Sequence, residues 1–364
     1  MRIACLLTPM TPLNLAVMGG MERVLLDECA GMRARGHRAE AFASRVIGGD
    51  EHVHPIKDLS WRSRWLKWGY YLRFLRQTRW ADLRHGHYTP ILSLFSPRRS
   101  LTHFHGLAVG DLPLHRFGVF RRRYQRSWYL FCSRHVREQF MRRYPDIPAG
   151  RLFTIHNGIE PSRFKVREPD PDAGAPVIGF HGRWVEKKGI HVLLEALRIL
   201  TRGGREFRAL IAGGPDFPEV TATSSGMGER IVAAAREIPG VQLPGTIPYA
   251  GIPDLLSRVD IGVVPSIYEE PFGIVVLEYL ASGIPVVASN VGGIPEIVDD
   301  AVGILVPPGD AEALAGAIER LLDDPDARLR MGREGRRRVE ERFTLSSHLD
   351  GLEALYRLIL EQRQ

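Results

Sequence analysis

The chain has 364 residues, 44% of them hydrophobic, with 49 Lys and Arg against 42 Asp and Glu. That composition excludes a disordered or fibrous chain and is ordinary for a globular protein with real cores, at a length that suggests two domains. The net charge of +7 favours anionic partners: anionic ligands, anionic lipid surfaces or nucleic acid.

Cys5, Cys29 and Cys132 are scattered, with neither metal spacing nor a disulfide framework, which points to a reducing cytoplasm. The opening Met1-Arg2-Ile3-Ala4-Cys5-Leu6-Leu7 is apolar only briefly before Thr8 and Pro9. It reads as a first strand rather than a signal peptide. No apolar run approaches the roughly 18 residues needed to span a bilayer.

A loop follows and ends in Gly19-Gly20, and residues 22–35 then carry helical spacing up to Gly36. A second strand is expected over 38–44, and this order argues for a doubly wound sheet. The loop lacks the G-x-G-x-x-G pattern of a dinucleotide site. Residues 61–80 hold five Arg, one Lys, no acid and seven aromatics. Trp61, Trp65, Trp68, Leu72 and Leu75 fall on one helical seam, expected to pack on the first sheet. The arginines around it leave contact with an anionic membrane as the functional alternative.

Asp82-Leu83-Arg84-His85-Gly86-His87 and Leu101-Thr102-His103-Phe104-His105-Gly106 follow, with His residues near two short apolar stretches. Residues 117–128 are again basic and aromatic, yet no stacking sheet, zinc spacing or recognition helix accompanies them, which disfavours nucleic acid. Residues 165–176 carry three prolines and read as a linker, so Asp170-Pro171-Asp172 is linker rather than a metal-binding D-x-D.

A second sheet is expected to begin at 177–180, followed by Gly182-Arg183-Trp184-Val185-Glu186-Lys187-Lys188-Gly189 and a helix over 190–200. Arg183 and Lys188, five residues apart in a loop between strand and helix, can reach one diphosphate. A solvated surface charge run is the equally good reading of these residues alone. Residues 261–264 read as a buried parallel strand, and a helix over 274–281 stops at Gly283. Glu270 therefore lies at the carboxyl end of a strand and Glu278 about one turn into a helix. The helix-start amides of Phe272, Gly273 and Ile274 suit a phosphate. The two carboxylates suit hydroxyls. By itself the Glu-x7-Glu spacing fits a solvated helix face as well.

Pro265-Ser266, Glu270-Pro271-Phe272-Gly273, Glu278, 281–289 and Gly292-Gly293-Ile294-Pro295-Glu296 together closely resemble the donor-binding core of the retaining glycosyltransferases of family 4. Gly19-Gly20 with Arg35-Gly36-His37, the strands around His85 and His105, and Asn157-Gly158 resemble the family's first half.

The resemblance implies an α/β, GT-B fold: two Rossmann-like doubly wound domains facing across a cleft. It implies an acceptor-side domain over 1–165, a linker over 166–176, a nucleotide-sugar domain over 177–345, and a terminal helix over 346–364 crossing back to the first domain. The implied reaction is metal-independent transfer of a hexosyl unit from a UDP- or GDP-linked sugar, with retention and without a cofactor. The acceptor would be a glycan, a lipid-linked glycan or a small metabolite, and the setting polysaccharide or lipopolysaccharide biosynthesis. Carried over by resemblance, His105, Arg183, Lys188 and Glu270 are catalytic. Gly19, Gly20, Ile247, Phe272, Gly273, Ile274 and Glu278 join Arg183, Lys188 and Glu270 around the donor. His103 is read as structural, and no metal ligands are expected. The place of action is expected to be cytoplasmic, with the inner membrane face as an option. A sugar-nucleotide epimerase, a silent sugar-nucleotide-binding subunit and a nucleic-acid binder are the rival readings.

Overall fold

The computed structural model describes residues 1–9, 13–15, 19–56, 66–96, 99–106, 112, 118–166, 174–214 and 226–362, with the side chains of 66–68 left aside. The chain divides into two compact units: Met1–Gly158 with Leu345–Gln364, and Ile159–Thr344.

The first unit is built on a seven-stranded parallel sheet. Its strands are β1 (Arg2–Leu7), β2 (Arg38–Ala43), β3 (Val53–Pro55), β4 (Leu83–His87), β5 (Ser100–Phe104), β6 (Trp128–Phe131) and β7 (Leu152–Thr154). Their order is β3-β2-β1-β4-β5-β6-β7. The period of two is explicit in β1. Ile3, Cys5 and Leu7 join a core with helix α1 (Gly20–Ala34) and the C-terminal helix Leu345–Glu361. Ala4 and Leu6 face the opposite core, with α2 (Leu66–Gln77).

Residues 61–65 of the aromatic segment 61–80 lie outside the described residues, Trp61 and Trp65 among them. The rest corrects the expected seam. Tyr70, Tyr71 and Phe74 are buried, while Leu72 is 54% exposed. The helix is turned by the hydroxyl of Tyr70, which donates to the carbonyl of Leu7 at 2.9 Å. Burying this polar tip requires that acceptor.

The second unit holds a six-stranded parallel sheet. Its strands are β8 (Val177–His181), β9 (Arg208–Ala212), β10 (Val241–Gly245), β11 (Ile261–Val264), β12 (Val286–Ser289) and β13 (Gly303–Val306). The order is β10-β9-β8-β11-β12-β13. The apolar runs of β8, β11 and β12 are buried throughout, as expected of strands covered on both faces. Helix α3 (Ile190–Arg202) buries Ile190, Leu193, Leu194, Leu197 and Leu200 in a core shared with Leu314, Ile318 and Leu321 of α4 (Ala311–Asp323).

The boundary differs from the expected one. Residues 159–165 belong to the second unit, because Ile159 pairs with Thr344 and its amide donates to the carbonyl of Phe343 at 2.9 Å. Arg336 adds hydrogen bonds to the carbonyls of Pro161 and Phe164, at 3.0 and 2.8 Å. Most of the expected linker, with Asp170-Pro171-Asp172, lies outside the described residues. Among the described residues, no helix is long and apolar enough to cross a membrane.

Gly189 precedes α3 at φ +70°, and a Cβ there would strike the carbonyl of Pro265. Gly36 has φ +82° but stands in open space. Gly36→Ala should therefore cost only the left-handed strain of about 1–2 kcal/mol. Gly189→Ala adds a backbone collision and should cost more than ~3 kcal/mol. Urea denaturation measures both, and equal losses would contradict the close approach.

Candidate functional site

The strand order of the second unit decides where a site can form. From β8 the chain adds β9 and β10 on one side, then crosses to add β11, β12 and β13 on the other. The order of strands thus reverses between β8 and β11, and the carboxyl ends of such a pair are where a crevice forms. Arg183 and Lys188 follow β8, while Ser266, Tyr268 and Glu270 follow β11.

The two loops meet. The ammonium of Lys188 donates to Oε1 of Glu270 at 2.5 Å. The hydroxyl of Ser266 donates to the same oxygen at 2.6 Å, and that of Tyr268 to Oε2 at 2.7 Å. Glu270 is only 5% exposed. Burial alone would raise its carboxyl, but the charge of Lys188 and the three hydrogen bonds outweigh burial and hold it below the ordinary value. Burial pushes the Tyr268 phenol up, reinforced by Glu270 and opposed by the nearby Arg183 guanidinium. Lys187 and Lys188 carry their ammonium groups 4.9 and 5.3 Å from the Tyr268 ring centre.

A third loop fixes the carboxylate's backbone. The amide of Gly293 donates to the carbonyl of Glu270 at 2.8 Å. Gly292 lies at φ +59°, so close to Glu270 that a Cβ would strike its backbone. The Gly292-Gly293 pair thus serves close approach to the site.

Helix α5 (Ile274–Ala281) begins after Gly273. Glu278 lies on its second turn, 3% exposed, with Oε2 3.4 Å from Nε2 of His181 at the end of β8. Phe272 is buried, whereas Gly273 and Ile274 are half-buried at the helix start. Ile247 follows edge strand β10, on the same carboxyl edge but three strands from β11. At the usual strand spacing that is about 14 Å.

Gly19, Gly20 and His105 belong to the first unit. Gly19 caps α1 and Gly20 opens it. The preceding residues 16–18 lie outside the described set. His105 is half-buried just past β5, with Nε2 2.9 Å from Nδ1 of His87. Burial lowers its pKa, assisted by His103 and His87.

Sequence reasoning missed four neighbours. Ser266 and Tyr268 complete the Glu270 cradle, and both were legible as polar residues flanking Glu270. His181 against Glu278 was visible as the last residue of an apolar strand. Glu28 had no such signal. It lies in the middle of α1, is 1% exposed, and meets four histidines from distant parts of the chain.

Two family models match the chain: "Glycosyltransferase Family 4" over residues 18–163 and "Glycosyl transferases group 1" over 162–338. An alpha-D-kanosaminyltransferase of Streptomyces kanamyceticus is 33% identical over 230 residues, 60% of this chain and 57% of that protein. A GDP-mannose-dependent alpha-(1-6)-phosphatidylinositol monomannoside mannosyltransferase of Mycolicibacterium smegmatis is 31% identical, over 68% of this chain and 67% of that one. The chain thus spans between about half and two thirds of these relatives. The solved structure of a glycosyltransferase from Rickettsia africae superposes with a TM-score of 0.80 at 20% identity, covering 99% of this chain and 98% of that one. The fold is the one expected, GT-B.

Glu270→Gln removes the counter-charge of a largely buried ammonium and should cost about 2 kcal/mol or more at neutral pH, at the lower end because Lys188 keeps some solvent. The lowered carboxyl contributes stability fully above its ordinary value of 4.5 and loses it as pH falls through the folded value. The gap between the native protein and Glu270→Gln should therefore close in acid. Urea midpoints from pH 7 to pH 3 measure it, and a gap independent of pH would contradict the ion pair.

Proposed function

This chain belongs to glycosyltransferase family 4, and on that footing we propose that it moves a hexosyl unit from a UDP- or GDP-linked sugar to an acceptor with retention of the anomeric configuration. The observation that carries the reading is the buried Lys188–Glu270 pair at the switch point of the second sheet. It sets a cation for the leaving diphosphate beside a fixed acceptor for sugar hydroxyls.

In this reading the barrier lies in charge building on the leaving diphosphate. Lys188 supplies a point charge and Arg183 a fork of donors. The amides at the start of α5 add partial positive charge. Each such donor is worth about 3 kcal/mol in a closed site. No metal is assigned a role in the transfer.

Glu270 keeps one use beyond the ion pair. An ionised carboxylate offers about four acceptor positions. Oε1 accepts from Lys188 and Ser266, and Oε2 from Tyr268. The remaining position on Oε2 is assigned to a hydroxyl of the transferred sugar. Glu278 is assigned to the ribose, and the backbone near Ile247 to the nucleobase. The distance between β10 and β11 suits a ligand with its base at one end and its sugar at the other. His105, Gly19 and Gly20 are assigned to the sugar and phosphates from the first unit.

The acceptor is proposed to be a glycan, a lipid-linked glycan or a small metabolite. One relative named above is a kanosaminyltransferase and another acts on a phosphatidylinositol mannoside. Polysaccharide or glycoconjugate synthesis at the cytoplasmic side is the setting that fits. A sugar-nucleotide epimerase is the alternative, and it would turn over donor without an acceptor.

Lys188→Ala should lower kcat/KM by about 10²–10³-fold. Glu278→Gln should raise the donor KM more than it lowers kcat. Proton NMR of the product should show the donor's anomeric configuration, in chelator as well as without it. An inverted product, or turnover abolished by chelator and restored by a divalent ion, would overturn the mechanism.

A further inference from the structure

The first unit buries an ionisable cluster that the proposed reaction does not use. Glu28 of α1, His85 and His87 of β4 and His103 of β5 are all 0–1% exposed. One oxygen or ring nitrogen from each lies within 4.8 Å of the other three. From the Glu28 oxygens, the separations are 3.4 Å to Nδ1 of His85, 3.3 Å to Nε2 of His87 and 3.5 Å to Nδ1 of His103.

These polar atoms are left over after the hydrogen bonds are counted. Oε2 of Glu28, Nε2 of His85, Nε2 of His87 and both nitrogens of His103 have no hydrogen-bond partner. A buried polar atom without a partner costs about 1–3 kcal/mol, so five within one side-chain cluster need an explanation. The surrounding contacts orient the rings. Tyr356 Oη lies 2.7 Å from Nδ1 of His85, and His105 Nε2 lies 2.9 Å from Nδ1 of His87. His348 of the C-terminal helix meets Oε1 of Glu28 at 3.0 Å and the His156 carbonyl at 2.8 Å, leaving Oε2 facing His85 and His87.

We propose that Glu28, His85, His87 and His103 bind a divalent transition-metal ion of the zinc class in the core of the first unit. Three imidazoles and one carboxylate suit Zn²⁺, Co²⁺ or Fe²⁺ and not Mg²⁺ or Ca²⁺, which take oxygen. Metal–ligand bonds of about 2.0–2.1 Å give a tetrahedron with edges of about 3.3 Å. The separations from Glu28 already match that edge. The remaining separations, none above 4.8 Å, would close on binding. His105 and His348 are outer-shell partners such a site requires, while Nδ1 of His85, the nitrogen that lies toward Glu28, would exchange its contact with Tyr356 for the metal.

The ion would fasten α1 to the neighbouring strands β4 and β5, next to the C-terminal helix. It would also fix a tautomer. With Nε2 of His87 on the metal, its Nδ1 carries the proton and donates it to Nε2 of His105. The proton of His105 then resides on Nδ1. This ion is structural, and the proposed transfer has no step that uses it.

The test is metal analysis of the full chain, expressed without a histidine tag in zinc- or cobalt-supplemented medium and washed briefly with chelator. The expected result is about one equivalent of metal per chain, and for the cobalt protein visible d–d bands of tetrahedral strength. His54→Ala is the control, since His54 and Glu40 form a half-exposed pair at 2.8 Å that could hold metal at the surface. It should keep both signals, whereas Glu28→Gln should lose at least about tenfold of the bound ion. If Glu28→Gln does not fold, the native protein and His54→Ala decide alone. A native protein with under a tenth of an equivalent and no cobalt spectrum overturns the site, as does loss of the metal in His54→Ala.

Discussion

The second unit depends on one buried ion pair. Glu270 is placed where water cannot solvate it, and an isolated carboxylate there would take up a proton. Lys188, Ser266 and Tyr268 keep it ionised. To make those contacts, the loop after β8 must meet the loop after β11, and Gly189 and Gly292 allow the backbones to approach closely enough. The ion pair therefore sets the mouth of the crevice. The order of strands sets where the crevice lies, and the apolar strands beneath hold both loops in place.

The same pair links stability to chemistry. A cation held by a carboxylate is preorganised before any diphosphate arrives, so little reorganisation is needed when charge develops. The carboxylate in turn is aimed by its partners and cannot rotate away from a sugar hydroxyl. The first unit follows a similar logic at Glu28, where a buried carboxylate is surrounded by histidines instead of a lysine. There several buried polar atoms are left without a hydrogen-bond partner.

The two sheets were legible because their strands are short β-branched or apolar runs ended by Gly, Pro or Ser, as in residues 261–266. The placement of Arg183, Lys188, Glu270 and Glu278 beyond the ends of β8 and β11 was legible because they are close in sequence to those strands. Two kinds of feature were not. Contacts across long sequence separations, such as Glu28 with His348, leave no local pattern. The face of α2 was misjudged because its aromatics lie around much of the helix, and one hydrogen bond from Tyr70 decided which of them turned inward. The unit boundary slipped for a related reason: the prolines after Lys165 are conspicuous in sequence, but the chain had already joined the second unit at Ile159.

The central claim is that the Lys188–Glu270 crevice is a nucleotide-diphosphate site. The most direct measurement is a thermal-shift panel of sugar nucleotides, nucleoside diphosphates and nucleosides on the native chain and on Lys188→Ala. At 100 times its dissociation constant, a ligand stabilises the native state by about 2.7 kcal/mol, a readily measured shift. The account predicts selective stabilisation by the diphosphates of one base, absent with the nucleoside and lost in Lys188→Ala. No shift with any of them, or a shift that Lys188→Ala leaves intact, would contradict it.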